Sequence, residues 1–320
     1  MELKAMENIP LVSCTVVTYN SSKYVLETLE SIFNQTYPRL ELIVSDDCST
    51  DNTVQLCKEW IEGHKERFER TLVLEIDHNT GVSANLNRAD AACQGEWCKG
   101  IAGDDLLLPN CVQDCMDYVT SHPDDDIVCL FGGMEGFGER VTIDEQYKNI
   151  NSFFFDLTAK GQYLTLVNQG NMVFAPTCFH NLKKYREYNI HNDNRISNLE
   201  DWPKWINITK QGHKLYGCDK TLVKYRIHGD SLSTDTSSPR LRTAIAKVWL
   251  LYCFKEQKRT EYRASVIGYL YIKKFLSNNI IWKVLLMLTH LLDTIFCILT
   301  KKDRITSDRL NNIVKSVLQS

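Results

Sequence analysis

Several patterns that would place the chain in a common class are missing from its 320 residues. The formal net charge is −3, whereas a nucleic-acid-binding domain usually carries a basic patch and a high isoelectric point. No Gly-x-Gly-x-x-Gly follows the first predicted strand, which argues against a dinucleotide-dependent dehydrogenase. Internal repeats and low-complexity blocks are also missing. We therefore expect no nucleic-acid partner and no dinucleotide cofactor.

The N-terminal segment and the cysteines indicate the compartment. Residues 1–10 carry Glu2, Lys4 and Glu7 and no apolar stretch, so we expect no secretory signal and a cytoplasmic protein. Twelve cysteines are present, none of them in a Cys-x-x-Cys pair. Apolar neighbours, as at Cys14 and Cys129, predict reduced core thiols rather than disulfides.

Apolar runs of strand length alternate with amphipathic segments of helix length in the first third of the chain. Residues 11–18 form a β-branched apolar run, which is typical of a buried parallel strand. Asn20, Ser21 and Ser22 then offer side chains that could cap the following helix. The alternation continues with strands predicted at residues 40–45, 71–76 and 96–102. It predicts an α/β fold with a mostly parallel sheet and helices on both faces.

Polar residues follow the predicted strands at the point where ligands bind in such sheets. Asp104 and Asp105 come after the fourth strand, where carboxylates could hold Mg²⁺ or Mn²⁺ against a diphosphate. The alternative is that they cap the helix predicted from residue 110. Asp47 follows the second strand, and its carboxylate could accept a hydrogen bond from the N3–H of a uracil ring. A turn with helix capping explains Ser49, Thr50 and Asp51 equally well but leaves Asp47 unexplained.

Two long segments together resemble one enzyme family. VSCTVVTYNSSKYVLETLESIFNQTYPRLELIVSDDCSTDNT (residues 12–53) resembles the opening of the family 2 glycosyltransferases with the GT-A fold, and DHNTGVSANLNRADAACQGEWCKGIAGDD (residues 77–105) resembles their next segment. The resemblance covers roughly residues 10–235. It implies a GT-A fold over residues 1–235, with a nucleotide-binding half at 10–105 and an acceptor half at 106–235, followed by a helical extension at 236–320.

The resemblance also implies roles for residues of the nucleotide-binding half. Val17 and Tyr19 match nucleotide-contacting positions of the first loop, and Asp47 matches the uracil-binding aspartate. Asp104 matches a position facing the ribose and diphosphate. Asp105 matches the ligand of the Mn²⁺ or Mg²⁺ cofactor.

Two later segments carry further implied roles. Asp201 matches the general base that takes the proton of the acceptor hydroxyl, and Glu200 is the second candidate. An acidic first turn of a helix would also explain both residues. The segment YRIHGDSLS resembles a late family motif, which implies that His228 contacts the metal or diphosphate while Arg226 and Ser231 assist at the phosphates.

One position departs from the family pattern. The family often has Asp-x-Asp-Asp where this chain has Ala102 in place of the first aspartate. The departure leaves open a catalytically inactive protein that only binds nucleotide sugars. A nucleotidyltransferase is the third alternative, but it requires a glycine-rich basic loop after the first strand, and residues 18–21 are not one.

The resemblance implies an inverting, metal-dependent transfer of a hexose from a UDP-sugar, with UDP-Glc or UDP-Gal favoured. The implied acceptor is a hydroxyl of a polyprenyl-diphosphate-linked sugar in O-antigen or other surface-polysaccharide synthesis. Residues 280–300 form an apolar stretch interrupted by Lys283, His290 and Asp293, which favours a helix lying in the membrane interface. We therefore expect peripheral association with the cytoplasmic face of the inner membrane. A helix packed on the catalytic domain or in a dimer is the alternative.

Overall fold

A computed structural model describes residues 9–138, 150–196, 199–228 and 239–253. The strands are β1 Val12–Thr18, β2 Leu40–Asp46, β3 Arg70–Leu74, β4 Trp97–Ala102, β5 Leu106–Leu107, β6 Cys129–Phe137, β7 Phe179–Asn181 and β8 Leu215–Arg226. The helices are α1 Val25–Phe33, α2 Thr53–His64, α3 Val82–Ala92, α4 Cys111–Ser121, α5 Ser152–Asp156, α6 Ala159–Gln169, α7 Leu182–Glu187, α8 Asp201–Lys210 and α9 Pro239–Val248. Contacts divide the chain into two compact units, residues 1–163 with 172–231 and residues 164–171 with 232–320.

All described strands belong to one eight-stranded sheet in the first unit, with the order β3-β2-β1-β4-β7-β6-β8-β5. The first four strands in this order are parallel to one another. Beyond β4 the sheet is mixed, because β7 runs antiparallel to both β4 and β6, while β6 and β8 are parallel. The predicted parallel α/β half is confirmed, and the antiparallel pairs are confined to the second half.

The core explains why the first strands form where the sequence predicts them. Every residue of β2 is buried, and β1 has only one partly exposed residue. Strands covered on both faces need apolar or well-paired residues at every position, so their apolar runs are continuous. Helix α1 buries Val25, Leu29 and Ile32 against this sheet, and each such side chain contributes roughly 1.5–3 kcal/mol when fully buried.

Two capping expectations are wrong. No side chain caps α1, and the backbone N–H groups of Asn20, Ser21 and Ser22 donate instead to side chains of Ser49, Thr53 and Asp51 in the segment after β2. Asp104 and Asp105 do not cap a helix either, since they precede the short strand β5 and helix α4 begins only at Cys111. Their carboxylates are therefore available for another role.

The cysteine prediction is confirmed for the described part of the chain. Its eleven cysteines are free, and all except Cys48 are buried. In the second unit, α9 continues into a short π-helical segment, Trp249–Cys253. Among the described residues, no helix has both the length and the apolar character needed to cross a membrane. The predicted interfacial stretch at residues 280–300 lies outside the described residues.

Candidate active site

The carboxyl ends of β1, β2 and β4 meet at one edge of the sheet, as the parallel arrangement requires. Val17 is in register with Ala102 on one side and with Ser45 on the other. The N–H of Gly103 donates to Val17 O at 3.0 Å, and the N–H of Asp47 donates to Thr18 O at 3.0 Å. The predicted nucleotide-contacting positions on these three strands are therefore neighbours.

The loop after β1 is bound to the loop after β2 by its polar residues. The N–H of Asn20 donates to Ser49 Oγ, and Asn20 Oδ1 accepts from the N–H of Thr50, both at 2.8 Å. Asp51 accepts from the N–H of Ser22 and from Thr53. Although burial opposes the charge, these hydrogen bonds lower the pKa of Asp51 to about 2. The turn thus holds the first loop in place rather than contributing a ligand-binding side chain of its own.

Asp47, which directly follows β2 at this sheet edge, is almost fully buried. Its carboxylate accepts from Thr80 Oγ1 at 2.6 Å and from the N–H of Gly81 at 2.7 Å, and Arg88 Nη2 lies 3.3 Å away. Burial opposes ionisation, but the hydrogen bonds from Thr80, Gly81 and Arg88 lower the pKa of Asp47. Asp47 is therefore a fixed, ionised acceptor that also positions the loop before α3.

The end of β8 reaches the segment after β4, joining residues more than 120 positions apart. The backbone N–H of Arg226 donates to Asp105 Oδ1 at 2.8 Å, and its Nε donates to Asp104 O at 2.7 Å. Its Nη2 pairs with Glu27 at 2.8 Å. His228 Nε2 lies 3.1 Å from Asp104 Oδ2. The two predicted aspartates and the late motif are thus brought together.

Arg226 is held from several sides. Its guanidinium lies 4.2 Å from the ring centroid of Tyr24 and 4.4 Å from that of Phe137. Stacking of this kind, combined with the bonds to Asp104 and Glu27, gives the side chain a position-setting role. Arg226 is buried, and its predicted role at the phosphates stays a prediction.

Asp105 has an electrostatic environment that suits a cation. It is 2% exposed, and burial together with the neighbouring Asp104 carboxylate raises the pKa of Asp105 well above its usual range. The Arg226 N–H only partly offsets this effect. A divalent cation would stabilise the ionised form, and carboxylate oxygens with an imidazole nitrogen are ligands that Mn²⁺ accepts.

A cavity of about 150 Å³ lies beside these strand ends. Its wall includes Val17 and Ala102 from the strands, Asp105 from the predicted metal site, and Glu200 and Asp201 at the start of α8. The predicted base and the predicted metal ligand therefore face the same space, although 95 residues separate them in the sequence.

Asp201 is buried, whereas Glu200 is partly exposed. Burial and the adjacent Asp201 carboxylate raise the pKa of Glu200 to about 7. Lys204, one helical turn later, lines the same cavity and partly offsets the rise. Trp205 forms an apolar wall and is fully buried. A carboxyl group with a pKa near 7 can exchange a proton with substrate at neutral pH.

The predicted roles of Tyr19 and Ser231 stay predictions. Tyr19, in the loop after β1, is 51% exposed, so its ring is accessible for stacking on a ligand. Ser231 lies outside the described residues. The sequence analysis did not predict five residues that contact Asp47 or line the cavity: Thr80, Arg88, Asp90, His180 and Lys204. Lys204 could have been found, because it follows Asp201 at the i,i+3 spacing that places both on one helix face.

Comparison with known proteins agrees with this arrangement. Residues 13–179 match the model of Glycosyl transferase family 2. An uncharacterized glycosyltransferase of Haemophilus influenzae is 28% identical over 241 residues, covering 75% of this chain and 72% of that protein. The poly(ribitol-phosphate) beta-N-acetylglucosaminyltransferase TarS of Staphylococcus aureus is 26% identical over 216 residues, covering 63% of this chain and 36% of TarS.

Solved structures share the fold at low sequence identity. TarS residues 1–349 in complex with UDP-GlcNAc superpose with a TM-score of 0.57 and 18% identity, covering 96% of this chain and 81% of that structure. The mannosyltransferase PcManGT of Pyrobaculum calidifontis, solved with GDP-Man and Mn²⁺, gives a TM-score of 0.58 and 15% identity, covering 97% and 86%. The predicted GT-A fold is confirmed. With a family match over more than half of its length, this chain belongs to glycosyl transferase family 2 and is a glycosyltransferase.

Proposed function

We propose that the chain transfers a hexose, with inversion, from a UDP-sugar to a hydroxyl of a lipid-linked sugar. The observation that carries this proposal is the shared cavity, which is lined by Asp105, Glu200 and Asp201. A transferase of this kind needs a site for the donor diphosphate and a base for the acceptor hydroxyl within one small space. The cavity offers both kinds of group.

Asp201 is the proposed base. Its carboxylate takes the proton of the acceptor hydroxyl as that oxygen attacks the anomeric carbon from the face opposite the leaving diphosphate. The new bond to the sugar forms as the bond to the diphosphate oxygen breaks, and UDP leaves with the electron pair. Glu200 is the second candidate, and its pKa of about 7 leaves it partly protonated at neutral pH.

Asp105, with His228, is the proposed holder of Mn²⁺ or Mg²⁺. A bound divalent cation neutralises the charge that develops on a departing diphosphate. The proposal is supported by the burial and raised pKa of Asp105 and by the position of His228 against Asp104. The structural relative PcManGT was solved with Mn²⁺. Ala102, which stands where the family motif often has its first aspartate, also lines the cavity, so this chain has no carboxylate at that position.

The donor half of the proposal rests on Asp47 and the first loop. Asp47 is ionised and fixed, so an N–H donor on a pyrimidine base would find a preorganised acceptor. Val17 and Tyr19 lie along the same edge. The TarS structure contains UDP-GlcNAc, whereas the PcManGT structure contains GDP-Man, so a test of donor choice must include both nucleotides.

The acceptor half rests on relatives and on the sequence of the tail. TarS is named as a poly(ribitol-phosphate) beta-N-acetylglucosaminyltransferase. The apolar stretch at residues 280–300, followed by Lys301, Lys302 and Arg304, favours docking on an anionic membrane. The proposed acceptor is a sugar unit of O-antigen or another surface polysaccharide, carried on a polyprenyl diphosphate at the inner membrane. Such an acceptor would account both for the polymer acceptor of the relative and for a tail that docks on the membrane.

The experiment is a panel of nucleotide sugars tested with a diphospho-lipid acceptor that carries one N-acetylhexosamine. UDP-Glc, UDP-Gal, their N-acetyl forms and GDP-Man are each supplied with Mn²⁺ or Mg²⁺, and the product anomer is read by NMR. We expect one UDP-hexose to be transferred with inversion. Transfer only from GDP-Man, or with retention, would contradict the proposal. Binding of UDP-sugars with neither transfer nor hydrolysis would indicate an inactive binding protein.

A further inference from the structure

A second group of side chains that can bind a metal ion lies in the first unit, and none of its members has a role in the proposed reaction. It comprises Asp90 from α3, Cys98 from β4 and His180 from β7. One ligand atom of each residue lies within 4.8 Å of the others. Asp90 and His180 line the same cavity as the proposed base, and Cys98 is fully buried.

Two of the separations between these atoms are close to those of a tetrahedral zinc site. His180 Nε2 lies 3.3 Å from Asp90 Oδ1, and Cys98 Sγ lies 3.8 Å from the same oxygen. With ordinary zinc bond lengths, a tetrahedral site separates nitrogen from oxygen by about 3.3 Å and sulfur from oxygen by about 3.5 Å. These two separations therefore lie within about 0.3 Å of the tetrahedral values.

The His180 ring turns one buried nitrogen toward Asp90. Its Nε2 is buried and forms no hydrogen bond with any described residue, although Asp90 Oδ1 is near. The ring is 6% exposed and stacks on Tyr185, with centroids 4.2 Å apart. Without a metal, the imidazole is therefore held by an ion pair with Asp90 rather than by a well-aligned hydrogen bond. A metal ion would take the place of the proton on this nitrogen without moving the stacked ring.

The ligand set also favours zinc over a hard cation. A thiolate, an imidazole and a carboxylate suit zinc, whereas Mg²⁺ prefers oxygen ligands alone. One Zn²⁺ with one thiolate and one carboxylate carries no net charge, which suits a buried position. Thr15 Oγ1 lies 3.7 Å from Cys98 Sγ and can donate to the thiolate.

We propose that Asp90, Cys98 and His180 bind a zinc ion whose fourth position opens toward the cavity. The ion would join α3, β4 and β7, the three elements that supply its ligands. It is separate from the Mn²⁺ or Mg²⁺ proposed at Asp105 and His228, which are not among its ligands. The zinc site therefore does not depend on the proposed reaction.

The test measures zinc in the full-length protein. Protein purified without added chelator is analysed by elemental mass spectrometry, and chelator-stripped protein is titrated with Zn²⁺ against a chromophoric competitor. We expect one tightly bound zinc. Cys98→Ser, His180→Gln and Asp90→Asn should each weaken binding by more than about 100-fold, since loss of an outer-shell partner alone costs 10–100-fold. Cys115→Ser, at an equally buried cysteine, and Asp105→Ala should keep it.

Cobalt provides a readout that does not depend on the variants folding. Co²⁺ added to stripped wild-type protein should give a thiolate-to-metal charge-transfer band and the intense visible bands of a tetrahedral ion. Zinc should abolish these bands at one equivalent. Wild-type protein that shows neither bound zinc nor a cobalt–thiolate band would overturn the proposal. Equal zinc binding by Cys98→Ser, His180→Gln and Cys115→Ser would overturn it as well.

Discussion

Glu200→Gln tests the electrostatic description of the cavity without requiring a substrate. The pKa of Glu200 rises from 4.5 to about 7 because burial desolvates its carboxyl group and Asp201 is adjacent. A carboxyl whose pKa is raised on folding binds a proton more tightly in the folded state. It therefore lowers stability as the pH rises from 4.5 to about 7, and the full cost is present above pH 7.

The size of the effect follows from the shift. A pKa raised from 4.5 to about 7 corresponds to about 3 kcal/mol, most of which should appear between about pH 5 and pH 8. Glutamine keeps the shape but cannot ionise. In urea unfolding, the stability of Glu200→Gln relative to wild type should therefore rise by about that amount over the same range. Asp124→Asn, at an exposed aspartate, is the control. A difference between Glu200→Gln and wild type that stays constant with pH would refute the raised pKa.

Three further predictions concern binding and location. Asp105→Ala should abolish transfer, and excess EDTA should reproduce the loss in wild type, whereas undiminished activity in EDTA would exclude the proposed metal role. Asp47→Asn replaces an acceptor by an amide facing the N–H of Gly81, so UDP should bind about 10- to 100-fold more weakly by calorimetry. UDP affinity equal to wild type would remove Asp47 from the nucleotide site. Full-length protein should float with anionic liposomes, and truncation after residue 238 should prevent this. Protein that stays at the bottom of the gradient would favour a packed tail.

The first half of the fold was predictable because its physical signals are local. Strands β1 and β2 are buried on both faces, so their apolar runs are continuous and unmistakable. Carboxylates that follow parallel strands lie at one edge of the sheet, so the sequence alone predicts that Asp47 and Asp105 are at the same edge.

The rest depends on contacts between distant segments that leave no local signal. Asn20 is of a residue type that often caps helices, yet its side chain accepts a hydrogen bond from the N–H of Thr50, thirty positions away, because the two loops meet at the sheet edge. In the sequence, nothing distinguishes Asp90 and His180 from ordinary helix and strand residues, because they come together only when β7 pairs antiparallel with β4. Only the folded chain brings these two side chains to one cavity.

The most direct test of the central claim compares Asp201→Asn with Glu200→Gln in the lipid-acceptor assay. Asparagine keeps the size and hydrogen bonding of Asp201 but cannot accept the proton. If Asp201 is the base, kcat should fall by roughly 10²–10⁴ while the affinity for UDP stays close to wild type. Glu200→Gln should retain most of the activity. An Asp201→Asn enzyme with near wild-type kcat, or a Glu200→Gln enzyme that is the crippled one, would contradict the assignment.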